Sequence, residues 1–269
     1  MVTSNKITAS KGAVMVGKRS RIGRLGASGT VLAATLAGIA VLVGAAVPGS
    51  ATGLPVPQAT GSIAGKVVFQ GTPPERRKLN MSADPVCSAK NPDAVLAPDG
   101  AVNSDGTLPN TFVYLKDVSG TFKAPAEPAV LDQSGCMYIP HVLGVMVDQP
   151  LRIISSHPTT HNIHFVSTQN PDWNHSQPPG AAPLVGKFAH PEIAIKVHCN
   201  EHPWMNAYVA VMSNPFYSVT GDQGTFTIPN VPPGEYTLGG WTATFGTQDQ
   251  KVTVRAGQAT QVTFTFKAQ

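Results

Sequence analysis

Cys199, His202 and Met205 fall within seven residues of the stretch VHCNEHPWMNAY, Val197 to Tyr208. A thiolate, an imidazole and a thioether at this spacing are soft donors that one short loop can bend toward a single point. With a second imidazole they complete the trigonal-plus-axial set that holds copper for one-electron transfer. Zinc is the rival ion. Structural zinc takes several Cys and His ligands, however, and Met serves it poorly. The bland alternative is a buried free thiol, a surface His and a Met that fills the core.

The cysteine count sharpens the choice. There are three, Cys87, Cys136 and Cys199, and in an exported chain cysteines usually pair. One is left over. Cys199 has metal-binding neighbours, whereas Cys87 and Cys136 sit in turn-rich segments without them. This reading predicts a Cys87–Cys136 disulfide. The second imidazole must come from elsewhere, and HPTTHNIHF offers His157, His161 and His164. On a strand His161 and Ile163 share one face, and Asn162 and His164 the other, so one His of this group faces the site. His198 adjoins Cys199 on its strand and should point away from it. His141, His175 and His190 have no partner at ligand spacing and read as structural.

The elements that must position these residues read as strands. SIAGKVVF, NTFVYLKD, HVLGVMV, LRIISS, NIHFVST, EIAIKVH and AYVAVMS carry the apolar/polar patterning of partly buried strands. Residues 71–109 are rich in Pro, Asp and Asn, have no helical period, and read as an insertion. From SNPFYSVTG onward, short strands alternate with Gly and Pro turns. Val262, Phe264 and Phe266 alternate there with Thr263 and Thr265, one face for a core and one for water. No helix of ordinary length is expected beyond residue 51. The expected fold class is all-β, as two sandwiches.

PTTHNIHFV followed by CNEHPWM resembles the cupredoxins, the small blue copper proteins, and is most similar to amicyanin and plastocyanin. The resemblance covers roughly residues 61–213 and implies a Greek-key β-sandwich with one type 1 copper ion. It selects His161 as the first ligand, with Cys199, His202 and Met205 from the loop. It implies that Asn162 ties the two copper loops together. GDQGTFTIPNVPPGEYTLGGW resembles the carboxypeptidase regulatory-like domain, a small transthyretin-like sandwich, through Asp222, Gly224, Phe226 and Val231 to Tyr236. The expected division is a copper sandwich over 62–213, with the insertion at 71–109, followed by the second sandwich over 214–269. The alternative is that the second sandwich borrows the strand at 62–69. Trp241 reads as a core residue or a sugar platform.

Six of the 19 Lys and Arg residues lie in the first 24, so the rest of the chain carries 13 basic against 15 acidic residues. That balance argues against nucleic acid as a partner. The basic start, the apolar run GTVLAATLAGIAVLVGAAV and the small residues Gly49 and Ala51 read as a signal peptide over 1–51. A run of this length could also serve as an anchor, the one route to a membrane association. Residues 52–61 read as a linker. The expectation is an exported protein of the periplasm, envelope or extracellular space. No Ser-His-Asp set, paired carboxylates, phosphate loop or second His cluster stands out, so no enzyme is expected. The leading function is single-electron transfer with a protein redox partner, which Pro203 and Trp204 would help dock beside an exposed His202. The alternatives are a non-redox envelope binding or adhesion protein, with a carbohydrate or protein ligand on its tail module, and copper storage or delivery.

Overall fold

The computed structural model describes residues 59–268. The expected signal peptide or anchor (1–51) and most of the linker (52–61) lie outside the described residues. The described chain is all-β, with one short helix. In chain order the elements are β1 (Gly61–Gln70), α1 (Pro85–Lys90), β2 (Phe112–Lys116), β3 (Ala129–Ser134), β4 (Met137–Ile139), β5 (Val142–Met146), β6 (Leu151–Ser155), β7 (His161–Val166) and β8 (Trp173–Gln177). They continue as β9 (Leu184–Gly186), β10 (Glu192–His198), β11 (Asn206–Met212), β12 (Tyr217–Val219), β13 (Thr225–Val231), β14 (Gly234–Thr242), β15 (Gly246–Val254) and β16 (Ala259–Lys267). No helix among the described residues is long and apolar enough to cross a membrane.

The first sandwich packs the sheet β5-β11-β10-β7-β8 on the sheet β4-β3-β6-β9. Both sheets are mixed, since β5 runs parallel to β11 and β3 parallel to β6. Its core holds Leu131, Tyr138, Leu151, Ile153, Ile163, Phe165, Val197 and Val209, with Cys199 and Met205 among them. Alternation explains how the thiol arrives there. Ile195, Val197 and Cys199 turn inward from β10 and the residue beyond it, while Lys196 faces water and His198 is half-buried.

The second sandwich corrects the expected boundary. β1 pairs in parallel with β16 from Ser62 to Gln70 and antiparallel with β13. β2 lies between β12 and β14 in the opposing sheet β12-β2-β14-β15. Ile63, Val67, Val113 and Leu115 therefore share a core with Phe226, Leu238, Phe264 and Phe266. The strand at 62–69 is borrowed by the tail sandwich, and the first sandwich is inserted between β2 and β12. The reason is burial. β13 and β16 leave a gap that β1 fills, and covering an aromatic such as Phe264 or Phe266 is worth roughly 2 kcal/mol. A third cluster, Phe112, Tyr114, Val142, Ala210 and Met212, packs the two sandwiches together. Trp241 belongs to that contact, its ring 5.0 Å from Tyr208, and is no free platform for a sugar.

The insertion at 71–109 has little regular structure but is anchored. Lys78 bridges to Leu96, and Thr107 to Val68. Its helix α1 starts at Asp84, whose carboxylate accepts from the backbone N–H groups of Val86 and Cys87, with Pro85 at the first helical position.

Candidate metal centre

His161 opens β7, Cys199 follows the end of β10, and the loop before β11 carries His202 and Met205. Two backbone hydrogen bonds shape that loop: Cys199 N–H donates to Met205 O at 3.2 Å, and Met205 N–H to His202 O at 2.9 Å. The loop thereby folds back on itself and delivers Cys199 and His202 to the same point. His161 Nδ1 lies 3.0 Å from His202 Nδ1, and Cys199 Sγ lies 3.6 Å from His202 Nδ1. All three side chains are buried. Met205 is fully buried in the same core cluster as Cys199.

This arrangement fits a metal ion. Imidazole nitrogens bound at roughly 2 Å to one ion lie about 3 Å apart. Among the described residues the His161 ring has no hydrogen-bond partner except His202, and its Nε2 is buried without one. Burial, with His202 beside it, pushes the His161 imidazole down to about 4, so it is neutral and has a lone pair to donate. Cys199 is the free cysteine and its sulfur accepts the Asn162 N–H at 3.3 Å. Asn162 also crosses between the two ligand segments, its Oδ1 accepting from Asn200 N–H at 3.2 Å and its side-chain amide donating to Asn174 at 2.7 Å.

Two expectations change at the outer edge. His202 is 4% exposed and Trp204 is 3% exposed. Trp204 turns inward and its indole N–H donates to Cys136 O at 3.2 Å. Pro203 alone stays exposed, so Pro203 and Trp204 form no joint docking patch around an open His202 edge. The insertion supplies the cover. His202 Nε2 donates to Asp84 Oδ2 at 3.0 Å, and Thr159 Oγ1 donates to the same carboxylate at 3.1 Å. The backbone N–H of Cys87, against some desolvation and with His202 and Thr159 helping, holds the Asp84 carboxyl at about 2. An ionised carboxylate only accepts, so it fixes the His202 proton on Nε2 and leaves Nδ1 free to bind metal.

The Cys87–Cys136 disulfide is present and joins α1 to the turn between β3 and β4. His157 is buried against it. His164 pairs across strands with His198, ring centroids 4.6 Å apart, on the face away from Cys199. His141 is held by Asp99 and the Asn206 carbonyl. Sequence reasoning missed Asp84, Thr159 and Tyr138, whose hydroxyl donates to the Asn162 carbonyl. Asp84 had a local signal, an Asp-Pro step of the kind that starts helices, but nothing local tied it to His202.

A family model for the carboxypeptidase regulatory-like domain matches residues 198–267, which runs from the Cys199–Met205 loop and β11 through β16 and leaves out β1 and β2. Among solved structures, the chain is similar to a copper-containing nitrite reductase from Thermus scotoductus SA-01, at 17% identity and a TM-score of 0.30. The match covers 36% of this chain and 25% of the reductase, so the chain spans a quarter of that enzyme's length. It is similar to an amicyanin variant in its oxidised state at 24% identity and a TM-score of 0.28, covering 32% of this chain and 82% of that one. A purple cupredoxin from Nitrosopumilus maritimus matches at 19% identity and a TM-score of 0.27, covering 31% and 99%. No curated protein matches the sequence significantly.

Proposed function

We propose that the first sandwich holds one copper ion through His161, Cys199, His202 and Met205, and that the protein carries single electrons. The observation that carries this reading is the convergence of His161 Nδ1, His202 Nδ1 and Cys199 Sγ in a buried pocket, where no other hydrogen-bond network claims the His161 ring. Copper in such a set supplies a one-electron couple. The chain's own part is rigidity. Asn162 fixes Cys199 and the 199–205 loop, Asp84 fixes the tautomer and plane of His202, and the core holds Met205. Ligands held this firmly change little between oxidation states. The role proposed is that of a carrier, not an enzyme, in an exported protein whose partner is another redox protein. The tail sandwich is a candidate protein-docking module.

Copper storage or delivery is the second reading, favoured by one observation: Asp84 and α1 cover the His202 edge that a redox partner would approach. Visible absorption of copper-loaded protein tests the centre itself. An intense thiolate-to-copper band that disappears in Cys199→Ser is expected. A colourless Cu(II)-treated protein refutes the proposal. Electron self-exchange then separates the two readings, fast for a carrier and slow for a store.

A further inference from the structure

The Cys87–Cys136 disulfide has neighbours that a covalent staple does not need. His157 Nδ1 and Nε2 lie 3.6 and 3.8 Å from Cys136 Sγ. His157 is 5% exposed, and among the described residues these contacts to a weak sulfur acceptor are the only hydrogen-bond partners its ring has. A buried imidazole normally finds a stronger partner. The sulfur lies almost equally far from both nitrogens, so neither makes a directed hydrogen bond to it. One ligand atom from each of Cys87, Cys136 and His157 lies within 4.8 Å of the others, and all three residues are buried. The two cysteine Cα atoms are 5.7 Å apart, and the group sits beside the first site, with His157 and His161 ring centroids 5.5 Å apart.

We propose that in the dithiol state Cys87, Cys136 and His157 form a second metal site, for Cu(I), adjacent to the first. A chain whose thiols have not yet been oxidised is already in that state. A folded chain reaches it when a dithiol reductant passes two electrons and two protons to the Cys87–Cys136 bond and becomes a disulfide itself. Cu(I) then displaces the two thiol protons and forms two bonds to sulfur and one to the His157 imidazole, with no change in its own oxidation state. Two thiolates are soft donors that favour Cu(I), and imidazole also suits copper. The site shares no ligand with the first centre, although Cys87 Sγ lies 3.9 Å from His202 Nε2. It gives the chain a holding position for Cu(I) one imidazole away from the electron-transfer ligands, and oxidation to the disulfide removes it.

The test uses the full chain carrying Cys199→Ser, which disables the first centre. Cu(I) is titrated without oxygen against a chromophoric chelator, in the disulfide form and after reduction with a phosphine. The expected result is one additional Cu(I) per chain in the dithiol form. Adding Cys87→Ser or Cys136→Ser should abolish it. His157→Ala should weaken it by at least the roughly tenfold that even a residue behind a metal ligand is worth. Equal Cu(I) uptake by the two forms overturns the proposal. So does uptake indifferent to His157→Ala, which marks chelation by thiols alone, or a dithiol form whose strand circular dichroism has collapsed. Uptake of Zn(II) without Cu(I) overturns the assignment of the ion. A blue band missing from the wild-type protein would sink the electron-carrier reading and leave this titration standing.

Discussion

His202 Nε2 donates to Asp84 Oδ2 across 3.0 Å, linking the proposed metal-binding loop to an insertion 118 residues earlier in the chain. One carboxylate thus caps α1, sets the His202 tautomer and closes the outer edge of the site.

Asp84→Ala should loosen that closure. It removes an N-cap, at a cost of about 1 kcal/mol, and frees the His202 edge. Copper-loaded Asp84→Ala should melt a few degrees lower and exchange electrons faster with a small outer-sphere reagent in stopped flow. An unchanged rate would mean that electrons do not pass through the His202 edge.

His161→Ala and His164→Ala should separate cleanly. His161 lies 3.0 Å from His202, whereas His164 faces Asp172 and Asn200 on the other side of the sheet. His161→Ala should lose most copper affinity, and His164→Ala should keep the visible spectrum. The reverse outcome in a copper titration would reassign the ligand on β7.

As the proposed axial ligand, Met205 is the weakest donor of the set and should govern potential more than occupancy. Met205→Leu should stay blue with a raised reduction potential, because losing a donor disfavours Cu(II) more than Cu(I). Met205→Gln should lower it, since an amide oxygen favours Cu(II). Cyclic voltammetry with no shift in either variant would remove Met205 from the ligand set.

Glu192, on β10, supports the scaffold. Burial would raise its pKa, but hydrogen bonds from Ser167, the Thr168 backbone and hydroxyl, and Asn170 outweigh it and hold the carboxyl at about 2, below its usual 4.5. A depressed pKa contributes stability above the unfolded value and loses it as pH falls through the folded one. Glu192→Gln should therefore be destabilised at neutral pH by roughly 1–2 kcal/mol in urea melts. The gap from wild type should narrow below pH 4.5 and vanish near pH 2. A gap independent of pH would show that charge plays no part.

Much of the site was legible because its donors are local. Cys199, His202 and Met205 lie on one short loop, strand period puts His161 and His164 on opposite faces, and the resemblance to the cupredoxins selects His161. An odd cysteine count separated Cys199 from the pair that cross-links. The apolar alternation of β1, β7, β10 and β16 was equally plain. What the tertiary structure decided were partnerships between distant segments. The alternation of SIAGKVVF says that one face is buried but not against what, and its parallel partner β16 comes some 200 residues later. Trp204 follows a residue that faces water, yet it packs into the core cluster, where the Cys136 carbonyl accepts its indole N–H. Asp84, Thr159 and His157 carry no ligand spacing. They matter because one disulfide draws an irregular insertion down onto the two ligand segments, a contact between segments that no local pattern encodes.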